Sequence, residues 1–202
     1  MRAGGVAAFD FDGTITRRDT LAPFIWRVGG PARNLRGYGA LVPTLLDRDR
    51  GRRRSRAKTT LLRHALGGRP LVELEAEGRS YAESLPARFR PEALERITWH
   101  RDEGHELILV TASLRVYAEP AALALGFDHV IAVELATDAT GRVTGDLTAP
   151  NVVGPEKERR LREHLGNEPR ELWAYGNSAG DDELLAMADH PTWAGRRAGR
   201  PA

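Results

Sequence analysis

The residue pattern predicts an α/β protein, a doubly wound and mostly parallel sheet interrupted early by a block of helices. Three observations carry that expectation. Short apolar runs of strand length recur along the chain and alternate with helical patterns. The first of them, Val6 to Phe9, ends in two aspartates and a glycine. The chain between that strand and the next shows helical spacing alone.

Each element follows from its residues. Val6-Ala7-Ala8-Phe9 is an apolar run suited to a buried strand. Asp10 and Asp12 follow it, and Gly13 permits a tight exit turn. In an extended chain, side chains two apart point to the same side, so the two carboxylates are neighbours at a sheet's edge. Two anions that close require a compensating proton or cation, and a divalent ion with oxygen ligands suits them. The segment alone is also consistent with an ordinary Asp-Gly turn.

From Thr16 to Phe89 apolar residues recur at helical spacing: Leu35, Tyr38, Val42, Leu45 and Leu46, then Leu61, Leu62, Ala65 and Leu66, then Leu71, Leu74, Tyr81 and Leu85. Breaks are expected at Gly29-Gly30-Pro31, around Gly51 and at Gly67 to Pro70. This predicts a module of four or so helices. Pro91 opens a further helix ending near Gly104. Strands are expected at Glu106 to Thr111, Val130 to Val133 and Leu172 to Tyr175, with a hairpin over Thr137 to Leu147 and a last short strand at Thr192 to Ala194. Helices are expected up to Leu125, from Pro155 to Gly166, and through Leu184, Leu185 and Met187. The expected division is a core of residues 1–16 and 90–202 and a helical cap of residues 17–89.

The composition removes several classes of function. The 202 residues contain no cysteine, which rules out disulfide scaffolds and thiolate chemistry. No apolar run approaches the length of a membrane span, and the first residues lack a signal-peptide core, so the expectation is a cytoplasmic protein with no membrane span. Net charge is only +2. A basic run, Arg48 to Arg56, has no aromatic residues for base stacking, and no nucleic-acid partner is expected. The histidines show no metal spacing and are expected scattered, at the surface or partly buried. The four tryptophans are expected in core or cap packing.

In a parallel sheet, ligands bind beyond the carboxyl ends of the strands. Asp10, Asp12, Thr111, Asn177 and Asp181 all fall there, and Lys157, near a helix start, can reach the same rim. Two carboxylates, a hydroxyl, a lysine and an acidic loop suit phosphoryl transfer, with an aspartate as nucleophile and a second carboxylate as acid and base.

These residues resemble the motifs of the haloacid dehalogenase superfamily, in particular its phosphoserine-phosphatase branch. Asp10-Phe11-Asp12-Gly13-Thr14 is similar to the first motif, DxDGT. Val110-Thr111-Ala112-Ser113 is similar to the second, Lys157 to the third, and Tyr175-Gly176-Asn177-Ser178-Ala179-Gly180-Asp181 to the fourth, usually GDSxxD. The resemblance implies a Rossmann-like core and a magnesium-dependent phosphatase of a small phosphorylated metabolite. Asp10 would be the nucleophile and Asp12 the acid/base. Thr111, Ala112 and Lys157 would bind phosphate, and magnesium would be held by Asp10, Asp12, Asn177 and Asp181. Two positions depart from the pattern. Asn177 replaces a usual aspartate ligand, removing one negative charge. Asp19 stands where phosphoserine phosphatases carry a glutamate for the substrate ammonium, one methylene longer; an N-cap role suits Asp19 equally. Two further readings stay open at this point, a receiver-like phospho-acceptor and a non-catalytic binding protein on the same fold.

Overall fold

The computed structural model describes residues 4–40, 50–167 and 169–195. Its centre is a five-stranded sheet in the order β3-β2-β1-β6-β7, made of β1 (Val6–Phe9), β2 (Glu106–Leu114), β3 (His129–Val133), β6 (Leu172–Gly176) and β7 (His190–Trp193). All its pairings are parallel. Strand β1 takes the middle because its four residues have no solvent exposure, and only the centre of a two-sided sheet buries a strand that completely. Phe9 stacks on Tyr175 of the neighbouring strand, ring centroids 4.2 Å apart.

Helices α4 (Pro91–Asp102), α5 (Arg115–Ala124), α6 (Pro155–Leu165) and α7 (Asp182–Ala186) connect the strands. Right-handed crossovers place α4 and α5 on one face and α6 and α7 on the other. In register, Phe9 lies between Leu109 and Tyr175. The carboxyl ends of β1 and β6 therefore finish side by side, next to the longer β2, which runs on to Leu114.

Between β1 and α4 the chain makes a helical insert of α1 (Leu21–Gly39), α2 (Arg50–Leu66) and α3 (Leu71–Glu83). It leaves and returns through a short stem. Thr16 and Phe89 form an antiparallel bridge, Arg17 N–H donates to Arg88 O at 2.9 Å, and Arg90 N–H donates to Ile15 O at 2.8 Å. The insert is also tied down at its far end. The antiparallel hairpin of β4 (Leu135–Thr137) and β5 (Val143–Leu147) exchanges backbone bonds with the α2–α3 turn, Gly68 N–H to Val143 O at 2.7 Å and Val143 N–H to Arg69 O at 2.9 Å. Helices α3 and α5 approach so closely that a Cβ on Gly78 would lie 2.0 Å from the Val116 carbonyl oxygen.

The expected break at Gly29-Gly30-Pro31 is present: Gly30 takes φ +70°, outside the helical range, and a second helical segment starts at Pro31, so α1 is two segments across a kink. The boundary expected around Gly51 falls at Arg50, where α2 begins, so the basic run enters a helix there. The described insert thus has four helical segments; Val42, Leu45 and Leu46 lie outside the described residues, as does the start of the basic run. Other expectations need correction. Strand β2 continues past Thr111 to Leu114. His100 is fully buried, and five histidines are not scattered. His100 and His105 share a hydrogen bond of 2.7 Å, His105 and His190 stack on Trp173, and His129 stacks on His164. Trp26 is 58% exposed, so it does not belong to the core.

Candidate active site

The site is made where three strands stop. After Phe9 the chain leaves the sheet in a tight turn over Phe11–Ile15, which Gly13 permits at φ +83°. A Cβ at Gly13 would fall 2.0 Å from the Asn177 amide nitrogen, so the turn also depends on glycine to let the fourth-motif loop approach. Asp10 N–H donates to Tyr175 O at 2.9 Å, which holds the start of the turn against β6.

Two clusters share this turn. In the first, Lys157 is buried at the start of α6. Its Nζ donates to Asp10 Oδ1 and to Asp181 Oδ1, both at 2.6 Å, and Thr14 Oγ1 donates to Asp10 Oδ2 at 3.1 Å. Asp181 is held in turn by its own loop: its Oδ2 accepts from Asn177 N–H, Ser178 N–H and Ser178 Oγ at 3.1, 3.0 and 2.9 Å. A Ser178–Asp181 capping box braces this loop.

In the second, partly buried Asp12 is fixed by neutral donors. Thr20 N–H and Thr20 Oγ1 donate to its Oδ1 at 2.8 and 2.7 Å, and Ser113 Oγ donates to its Oδ2 at 2.5 Å. Ser113 N–H donates to Thr111 Oγ1 at 3.0 Å. Thr111 and Ser113 are two apart on β2, so both face the turn.

The electrostatics separate the carboxylates. Burial pushes Asp12 up to about 6, against the pull of Ser113 and Thr20. Burial also raises Asp10, more than Lys157 opposes it, and Asp181 adds to the rise. Burial would raise Asp181 too, but Lys157 and the loop amides outweigh it and hold that carboxylate below its ordinary value. Burial disfavours the Lys157 ammonium, yet its two anionic partners keep it charged. One lysine thus serves two buried carboxylates, with a third close by.

The structure accordingly brings Asp10, Asp12, Thr111, Lys157 and Asp181 to one cleft, with Asn177 against its turn. Asp19 stands apart. It is exposed, and its Oδ1 accepts from Ala22 N–H at 3.0 Å, so it caps α1, although its charge still contributes to the rise of Asp12. The sequence reading assigned no role to Thr14, Thr20 or Ser113. The period of two from Thr111 points to Ser113, whereas Thr20, next to the capping Asp19, carries no signal of its own. Nothing in the sequence points to Lys58, which reaches in from α2: its Nζ donates to Ala112 O at 2.5 Å and to Asn151 Oδ1 at 2.6 Å.

Among the described residues no three carboxylate or histidine side chains gather closely enough to hold an ion by themselves. Magnesium needs less than that, since it keeps several waters and takes one or two protein carboxylates. The excess of buried negative charge over Lys157, and the Asn177 amide beside the Asp10 turn, suit such a mixed oxygen set.

The parallel α/β sheet thus carries an aspartate pair at the end of its central strand, with a buried lysine between two carboxylates. The chain belongs to the haloacid dehalogenase-like hydrolase family, whose model matches residues 7–186. It is 37% identical over 189 residues to protein CicA of Caulobacter vibrioides, covering 91% of this chain and 83% of that one. Among solved structures, a protein of unknown function from Bordetella pertussis Tohama I superposes with a TM-score of 0.71 at 24% identity, covering 90% of this chain and 85% of the other. A phospho-aspartyl intermediate analogue of phosphoserine phosphatase superposes with a TM-score of 0.60 at 16% identity, covering 92% and 83%. Likeness at these identities concerns the fold. Among the described residues, no helix is long and apolar enough to cross a membrane.

Proposed function

We propose that the protein is a magnesium-dependent phosphatase that hydrolyses a small phosphomonoester through an aspartyl-phosphate on Asp10. The observation that carries this reading is the contrast between the two aspartates: Asp10 is tied to a lysine, while Asp12 is held by neutral hydroxyls and an amide with its carboxyl poised near 6. A nucleophile needs a neighbouring cation to receive a phosphoryl dianion, whereas a proton carrier needs a value close to the working pH.

In the first step an Asp10 carboxylate oxygen forms a bond to phosphorus as the bond to the alcohol oxygen breaks. Protonated Asp12 gives its proton to that departing oxygen. In the second step Asp12, now ionised, takes a proton from water as the water oxygen attacks phosphorus, and the bond to Asp10 breaks to release inorganic phosphate. Lys157 offsets the charge on the phosphoryl oxygens, with hydrogen bonds from Thr111 and the Ala112 amide. Asp181 and its capping box hold Lys157 in place. Asp10, Asp12, Asn177 and Asp181 would hold the magnesium ion, which when bound neutralises charge on the nucleophile and the phosphate. The helical insert serves as the cap over this cleft, and Asp19 contributes charge at its rim.

Incubation with p-nitrophenyl phosphate and magnesium tests the reading. We expect turnover in the intact protein and a fall of several orders of magnitude in Asp10→Asn, which lacks the covalent route. Equal turnover in the two would refute it.

A further inference from the structure

We propose that Lys58, carried on insert helix α2, is a positioning residue of the active site that aims the hydroxyls of Thr111 and Ser113. The inference rests on the phosphatase reading for its consequence but on geometry for its content.

Lys58 reaches from the insert into the core. Its Nζ spends two donors on fixed oxygens of different segments, Ala112 O at 2.5 Å on β2 and Asn151 Oδ1 at 2.6 Å in the loop before α6. The Ala112 carbonyl and the Ser113 N–H belong to one peptide plane. That plane is therefore gripped at both ends, its oxygen by Lys58 and its nitrogen by Thr111 Oγ1 at 3.0 Å. A peptide is rigid, so fixing both ends fixes its rotation.

Two catalytic consequences follow from that rotation. Because Thr111 Oγ1 accepts from Ser113 N–H, its own proton points elsewhere, free for a phosphoryl oxygen. Because the Ser113 backbone is fixed, its Oγ stays in donating contact with Asp12 Oδ2 at 2.5 Å. Removing Lys58 leaves the Ala112 carbonyl without this donor and the plane with one grip.

Helix α2 is itself tied to β5. Arg63 Nη2 on the same helix bonds Asp146 Oδ1 at 2.6 Å, and a Cβ on Gly145 of β5 would lie 2.2 Å from the Arg63 Cα. Burial also moves the Lys58 ammonium down to about 8, though the charges of Asp12 and Asp19 oppose this. Such a desolvated lysine is held for its contacts rather than left in solvent.

The test uses the full-length protein with p-nitrophenyl phosphate and magnesium. Lys58→Met keeps the stem and deletes the donors. We expect kcat to fall by about a hundredfold, the effect of misplacing groups by around an ångström, with KM little changed. Asn151→Leu, which releases only the second tether of Lys58, should lower kcat in the same direction by less. Combining Lys58→Met with Ser113→Ala should cost far less than the product of the single losses, since both act through one peptide. Independently of turnover, amide exchange at Ser113 followed by NMR should be faster in Lys58→Met. Wild-type kcat in both Lys58→Met and Asn151→Leu, multiplicative losses in the double variant, or unaltered Ser113 exchange would each overturn the assignment. An intact protein that hydrolyses no phosphomonoester defeats the phosphatase reading alone, and the exchange measurement then still decides the role of Lys58.

Discussion

Asp12→Asn isolates what a poised carboxylate costs the fold. An unfolded aspartate titrates at 3.8, whereas burial lifts Asp12 to about 6. A carboxyl whose folded value is raised favours the folded state in its protonated form. Its contribution is fully present below pH 3.8 and is lost as pH rises through about 6. The whole gap converts to about 3 kcal/mol. Because the side chain is only partly buried, about half of that, roughly 1.5 kcal/mol, is expected. Asparagine fits the same contacts: its oxygen can accept from Thr20, and its amide can donate to Ser113 Oγ, which reverses its role. The variant should therefore be catalytically dead yet more stable at pH 8, by about 3–6 °C in Tm for a chain of this size. Thermal unfolding in EDTA at pH 4 and pH 8 reads this directly, since a bound cation would hold Asp12 ionised. The gain should be large at pH 8 and small at pH 4. A variant no more stable than wild type at pH 8, or a gain equal at both pH values, would refute the reasoning.

Three further outcomes follow from the same geometry. Lys157→Met strands Asp10 and Asp181 as buried carboxylates and should lose about 3–5 kcal/mol at neutral pH by denaturant unfolding, with part of the loss recovered in Lys157→Met/Asp181→Asn; an equal loss in the double variant would contradict the shared ion pair. Asn177→Asp restores a negative charge beside the Gly13 turn and should tighten magnesium binding by roughly tenfold in calorimetry; an unchanged Kd would remove Asn177 from the ligand set. Gly78→Ala must push α3 from α5, because the new methyl would sit 2.0 Å from the Val116 oxygen, and should cost about 1–3 kcal/mol; an unchanged Tm would deny that contact.

The sheet was legible because its strands are near-continuous apolar runs, and burial on both faces leaves such runs no other use. Val6–Phe9 and Leu172–Tyr175 were readable for that reason, and the motif residues follow from their ends. Ser113 was accessible in principle, through strand period, whereas Thr20 was not, since its hydroxyl turns to Asp12 and Asp19 caps the helix. Lys58 and Asn151 were not. Which face of α2 turns toward the cleft depends on how the helix packs against β5, and Asn151 lies in a loop without periodicity. The cluster of Trp99, His100 and His105 with Trp173 and His190 was missed because its two halves lie some seventy residues apart in sequence and meet only in the folded sheet.

The central claim is a covalent bond between phosphorus and Asp10. Acid quenching during turnover of a phosphate-labelled substrate, followed by peptide mapping, tests it most directly. The label should appear on the peptide containing Asp10 and vanish in Asp10→Asn. Turnover with label on no peptide, or label retained in Asp10→Asn, would contradict it.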